Sequence, residues 1–206
     1  MKTSRLDFSP SRRGFTLVEL LVVITIIAVL AGISIPAYQS ILKKMTRMQA
    51  ETTAKSLVNS ISQYYAEYNR FPLPADAPGS EVTALRTDEV LIGALLGTDL
   101  MMNPKKIQFL PELKDATETG KNGLKSAGDL STVVDPWGEE YYVIMDSDYN
   151  GQIDNPNPAS GSPKLYQKVL IYSAGPDKDG ATWEDNVLSW GSGKVASNTA
   201  QQPPTQ

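Results

Sequence analysis

The chain has no cysteine and no histidine among its 206 residues. Without thiols there is no disulfide frame and no thiolate chemistry, and without imidazole there is no Ser-His-Asp or Cys-His nucleophile. Together the two absences exclude the ordinary zinc and copper sites, which need nitrogen or sulfur ligands. Carboxylate, hydroxyl and lysine chemistry survive, as do hard-cation sites built from oxygen. No Walker A loop, nucleophile elbow or pair of catalytic acids stands out. Ser40-Ile41-Leu42-Lys43 has a Ser-x-x-Lys spacing, but it lies on a long helical stretch and reads as chance. The sequence points away from an enzyme.

Charge is distributed unevenly. Lys and Arg number 19 against 23 Asp and Glu, a net of −4. Residues 1–14 hold Lys2, Arg5, Arg12 and Arg13 against Asp7, so they carry +3 and the other 192 residues carry −7. An acidic body argues against nucleic-acid binding and suits the uptake of cations. A basic head suits an anionic membrane face.

Phe15 to Ile35 reads FTLVELLVVITIIAVLAGISI, with Glu19 as its one ionisable side chain and fourteen of twenty-one residues Phe, Leu, Val or Ile. As a helix this run spans about 30 Å, the thickness of a hydrocarbon core. Fourteen such residues favour insertion by roughly 6 kcal/mol, against about 3 kcal/mol for one mid-membrane acid. Insertion wins, and the four basic residues before the run set that end in the cytoplasm and the body outside. The run exceeds the 7–15 apolar residues of a secretory signal. Gly32 and Pro36 predict a kink, and Ala28 with Gly32 forms a small-xxx-small pair that lets helices approach.

Helical periodicity continues through residues 37–70. Ile41, Met45, Met48, Ala54, Leu57 or Val58, Ile61, Tyr64 or Tyr65 and Tyr68 form an apolar stripe, expected to pack on a sheet of the same chain. Lys43, Lys44 and Arg47 form either a headgroup patch or a solvated face. The two halves together predict one helix of about 54 residues, or roughly 80 Å. Arg70-Phe71-Pro72-Leu73-Pro74 ends it, and Pro78-Gly79 marks a loop. Residues 87–97 predict a short helix capped by Thr87 or Asp88 and stopped by Gly97. Ile107 to Leu110 reads as a short strand and 114–131 as a surface loop.

Strand composition dominates afterwards. The turn Asp135-Pro136-Trp137-Gly138 leads into Tyr141–Met145, and a second strand runs from Tyr166 to Ser173. Between them, Asp146-Ser147-Asp148-Tyr149-Asn150-Gly151-Gln152-Ile153-Asp154 follows the first nine positions of a calcium loop. Alternate oxygen side chains converge there, Gly supplies the sharp turn, and the Gln152 carbonyl becomes a ligand. Asn157 stands at the twelfth position in place of a bidentate Glu. The pattern fits either an isolated calcium loop, with Asp146, Asp148, Asn150, Gln152 and Asp154 as ligands, or a metal-free Asx turn. The stretch from Gly191 to Gln206 lacks apolar periodicity and predicts a mobile tail.

Arg12-Arg13-Gly14-Phe15-Thr16-Leu17-Val18-Glu19-Leu20 resembles the processing motif of the type IV pilin and type II secretion pseudopilin family. Asp135–Gly138, the Ser173-Ala174-Gly175-Pro176-Asp177 turn, and Glu184-Asp185 before Ser189-Trp190 resemble its major pseudopilins more than its pilus subunits. The resemblance is specific over residues 12–40, looser over 64–72 and 135–190, and nearly absent over 73–134. It implies an α+β pilin fold, with a long N-terminal helix on a small C-terminal antiparallel sheet. It divides the chain into a leader (1–14), a membrane and polymerisation segment (15–37), a globular domain outside the membrane (38–190) and a tail (191–206).

The resemblance also implies roles. A prepilin peptidase would cut between Gly14 and Phe15 and methylate the new amine. A lone carboxylate among apolar helices is costly unless a cation neutralises it, so Glu19 would pair with the Phe15 amine of a neighbouring copy; otherwise it snorkels to the interface. The loop holding Asp177, Asp179, Glu184 and Asp185 would bind calcium, with Asp177 and Asp185 carried over directly and the other two less closely matched. The implied function is a subunit of a short filament that drives type II secretion from the inner membrane, with the globular domain periplasmic. Its partners are then other copies of the chain, the peptidase, the secretion platform and minor pseudopilins, with no nucleic acid. The alternative is a type IV pilus subunit for adhesion, motility or DNA uptake.

Overall fold

The computed structural model describes residues 14–73, 84–111, 113–128, 130–157 and 159–191, with backbone alone for 33–37. The basic leader through Arg13, the Pro78-Gly79 loop and the tail beyond Gly191 lie outside them. The chain divides into two units between Lys44 and Met45.

In the first unit, helix α1 (Leu17–Tyr68) begins, and it continues into the second. Thr16 caps it. The Glu19 carboxylate accepts from the Thr16 amide (2.8 Å) and hydroxyl (2.7 Å), while the Glu19 amide donates to that hydroxyl (3.2 Å). This is a capping box, with two orphan donors satisfied reciprocally. Every large apolar side chain described from Phe15 to Leu30 is exposed, from 46% at Val23 to 80% at Leu17. A helix apolar all round finds its stable environment in lipid or among other helices. Among the described residues no helix is long and apolar enough to cross a membrane. Side chains of the apolar run are described only to Gly32, and residues 17–32 give about 24 Å of helix against the ~30 Å required. The expected span therefore depends on residues 33–37.

In the second unit α1 docks through Ala50, Ala54, Leu57, Ile61 and Tyr64, spaced by four and three and all fully buried. Each large member contributes about 1.5–3 kcal/mol through burial. The expected stripe is corrected at its start: Ile41, Met45 and Met48 are 52–57% exposed, and the fully buried stripe begins at Ala50. Asn69, at φ +52°, ends the helix and donates to the Tyr65 carbonyl (2.8 Å), the αL stop that Asn tolerates.

Strand β1 (Leu85–Arg86) and helix α2 (Glu89–Leu96) follow, with Asp88 as cap and Gly97 at φ +78° as stop. Then come β2 (Gly123–Ala127), β3 (Leu130–Val134), β4 (Tyr142–Met145), β5 (Ile153–Asp154), β6 (Lys164–Leu165), β7 (Val169–Ser173) and β8 (Val187–Leu188). A four-stranded antiparallel sheet has the order β1-β4-β7-β8, and β2-β3 and β5-β6 form separate pairs.

Alternation splits the main sheet into two buried faces. Val143, Met145, Val169 and Ile171 join the α1 core, while Ile144, Leu170 and Tyr172 form a second cluster with Ile153 and Leu188, against which Trp183 and Trp190 pack. Each of the two loops singled out for cations sends one side chain onto that second face, Ile153 and Trp183.

Three expectations change. Ile107–Leu110 is not a strand, because its amides turn back onto α2: Phe109 and Leu110 both donate to the Leu95 carbonyl. Residues 114–131 are no plain loop, since all of β2 and the start of β3 lie there, a hairpin too polar to show apolar alternation. The stretch between β4 and β7 holds the short β5-β6 ladder, and the second long strand begins at Val169 instead of Tyr166. The architecture is α+β, an N-terminal helix packed on small antiparallel sheets.

Candidate assembly segment and cation loops

Gly14 and Phe15 precede α1 and are exposed, Phe15 by 79%. Glu19 points toward this end of the helix through its bonds to Thr16. The sequence shows this capping box as Thr16-Leu17-Val18-Glu19, a signal that the reading of Glu19 as an assembly residue passed over.

In the first loop Asp146 is buried to 2%, and its two oxygens accept the Asn150 (3.0 Å) and Gly151 (2.9 Å) amides. Asp148 accepts the Asn150 amide (3.1 Å) and side-chain nitrogen (2.5 Å), and the Asn150 oxygen accepts the Gln152 amide (2.9 Å). Tyr149 (φ +60°) and Gly151 (φ +82°) make the bend. The Tyr149 ring stacks on Phe71 at 5.7 Å. Asp146, Asp148 and Asn150 are thus drawn together. Asp154 lies in β5 and pairs with Lys164 across the ladder (3.2 Å) instead. The loop closes on its own amides.

In the second loop Asp177 accepts from the Asp179 amide (2.9 Å) and the Thr182 hydroxyl. Those bonds, the hydroxyl first, hold its carboxyl below the ordinary value. Asp179 accepts from the Ala181 amide (2.9 Å), and Asp185 Oδ2 from the Asp177 amide (3.3 Å). Glu184 is exposed. Asp185 Oδ1 and Asn186 Oδ1 are buried and accept no hydrogen bond. A carboxylate oxygen can only accept, so a buried one without a donor is an atom that a cation would satisfy. The all-oxygen donor set is that of calcium. Among the described residues no three His, Cys, Asp or Glu side chains converge as a metal group. The fit of this second loop therefore rests on Asp177, Asp185 and backbone oxygens.

Sequence reasoning missed Asp135 as more than a turn residue. It is fully buried, and its Oδ1 accepts the amides of Trp137 (2.9 Å), Gly138 (2.8 Å) and Glu139 (2.9 Å). The Asp-Pro-x-Gly order, with Asp first and Pro second, is the turn signal that predicts such bonding. Nothing in the sequence tells that the other oxygen meets Ser173 (2.5 Å).

Residues 9–35 match the prokaryotic N-terminal methylation motif. The chain is 26% identical to type II secretion system core protein G of Dickeya chrysanthemi, over 91% of this chain and 92% of that protein. Core protein G of Escherichia coli is 27% identical over 89% of this chain and 94% of its own length. Type IV major pilin protein PilA of Myxococcus xanthus is 37% identical, over 34% of this chain and 31% of its own. No solved structure matches. The chain thus carries the methylation motif at its N-terminus and is similar to type II secretion core protein G over about nine-tenths of its length.

Proposed function

We propose that the chain is a structural pseudopilin subunit with a pilin fold, cut between Gly14 and Phe15 by a prepilin peptidase, N-methylated, and assembled into a short helical filament that drives type II secretion. The observation that carries this reading is similarity to core protein G along almost the whole chain, including the globular part. Pilin similarity at 37% identity stops after about a third of the chain, which favours secretion over a pilus. The subunit is anchored in the inner membrane with its leader cytoplasmic and its body periplasmic, and it joins other copies, the secretion platform and minor pseudopilins. No catalytic step is assigned to it.

In this reading α1 is stored in lipid and then drawn into a bundle of like helices. Glu19 is held at the helix start by the Thr16 amide, one residue after the amine that cleavage would create at Phe15. A neighbour's amine competes with the Thr16 donors for the same carboxylate. Calcium completes the second loop through Asp177 and Asp185, and its charge would offset the acids gathered there; the first loop offers Asp146, Asp148, Asn150 and the Gln152 carbonyl. With calcium bound, the cover of the second sheet face is pinned.

The test is Glu19→Val in the complete chain. The variant should reach the membrane and mature to an N-terminus at Phe15 by mass spectrometry, yet yield few or no sheared filaments. Wild-type filament yield, or a mature chain beginning elsewhere, would overturn the reading.

A further inference from the structure

We infer that Asp135, from the turn before β4, is a positioning residue for calcium at the loop of Asp177 and Asp185. The inference rests on the calcium reading proposed above. Asp135 is fully buried, and no Lys or Arg is ion-paired to it among the described residues. Its charge is balanced by dipoles instead: three amides on Oδ1 and the Ser173 hydroxyl on Oδ2. The turn itself is fixed, since the Asp135 amide donates to the Glu139 carbonyl (2.8 Å) and its carbonyl accepts from Asn122 (2.7 Å) and Gly138 (3.0 Å).

The chain of contacts continues into the loop. The Ser173 oxygen, having donated its proton to Asp135, accepts the Gly175 amide (3.1 Å). Gly175 sits at φ +75°, and a Cβ there would fall 2.6 Å from the Asp185 carbonyl oxygen. The backbone that Ser173 holds is therefore the surface against which Asp185 rests. Strand pairing of Ser173 with Val187 brings the same two segments together. A second tie, from Lys178 Nζ to Glu139 Oε1 (3.1 Å), joins the middle of the loop to the same turn at the surface. The Asp135 turn thus grips the calcium loop at Gly175 and at Lys178.

The carboxylate is required by hydrogen polarity. Asn at 135 keeps an oxygen for the three amides but presents an NH₂ to Ser173. The serine oxygen would then accept twice and its proton would lack the acceptor that orients it. Partners of this indirect kind set metal affinity by factors of about 10–100.

The experiment is calorimetric calcium titration of the complete chain in detergent, for wild type, Asp135→Asn, Ser173→Ala and Asp185→Asn, with melts in calcium and in chelator. Asp135→Asn and Ser173→Ala should each weaken calcium binding at least about tenfold, and Asp185→Asn should abolish it. The calcium-dependent rise in melting temperature should shrink in both positioning variants. If Asp135→Asn fails to fold, Ser173→Ala carries the same test. Wild-type affinity in a folded positioning variant, with melting lowered equally in calcium and chelator, would show a merely structural role and overturn the inference. A wild-type chain that binds no calcium would overturn the calcium reading itself.

Discussion

Asn103 is fully buried, and it ties three segments together. Its side-chain nitrogen donates to the Ala94 (2.8 Å) and Ile107 (2.6 Å) carbonyls, and its oxygen accepts the Ile107 amide (3.1 Å) and the Tyr68 hydroxyl (2.6 Å). Asn103→Ala removes all four bonds. The two carbonyls and the amide are left in the interior, at about 1–3 kcal/mol for each group that stays unsatisfied. Tyr68 is half-buried, so its hydroxyl can turn to water at little cost. Water entering the new space recovers part of the loss, leaving about 3–5 kcal/mol. At roughly 2–4 °C per kcal/mol for a chain of this size, the melt should fall by about 6–20 °C. Tyr68→Phe, which loses the bond to Asn103 and a long one from the exposed Lys105 amide (3.4 Å), should cost about 1 kcal/mol. The assay is thermal unfolding followed by near-UV circular dichroism in detergent. A loss below about 1 kcal/mol for Asn103→Ala would refute the view that this residue welds α2 and the 107–110 segment to the end of α1.

Two further outcomes follow from the loops and the sheet. At a calcium concentration a hundred times its dissociation constant, mass action contributes about 2.7 kcal/mol, so melts in calcium and in chelator should differ by about 5–10 °C; identical melts would remove calcium from the fold. Stability should fall at both ends of the pH range. Asp177 is held below its ordinary value, so its contribution is present above that value and is lost as pH falls through the lower folded one. Burial pushes the Tyr172 phenol up to about 12. Because the unfolded phenol ionises first, stability declines as pH rises from about 10 toward 12. A flat unfolding free energy between pH 9 and 12 would contradict that burial.

The legible parts of the sequence were those whose signal is local. The apolar run announces a helix-forming segment because its signal acts through chain order alone. The Gly97 stop is equally local, as is the cap, expected at Thr87 or Asp88 and made by Asp88, while α1 stops at Asn69, just before the expected Arg70–Pro74 ending. The calcium-like spacing of Asp146, Asp148 and Asn150 was visible too, and these three do converge. Asp154 instead pairs with Lys164 across the β5-β6 ladder, a partner that only strand pairing brings near. The β2-β3 hairpin escaped notice since its exposed, polar strands lack alternation.

By itself, then, the sequence determined the helix, its ends, the buried stripe from Ala54 onward and the turn at Asp135. Tertiary structure decided where that stripe begins, which face of the sheet each loop covers, and which oxygens are left without donors. It alone places Ser173 between Asp135 and Gly175, thirty-eight residues along the chain from the carboxylate. Hydrogen bonds and burial across such distances depend on strand order and register, which no run of neighbouring residues encodes.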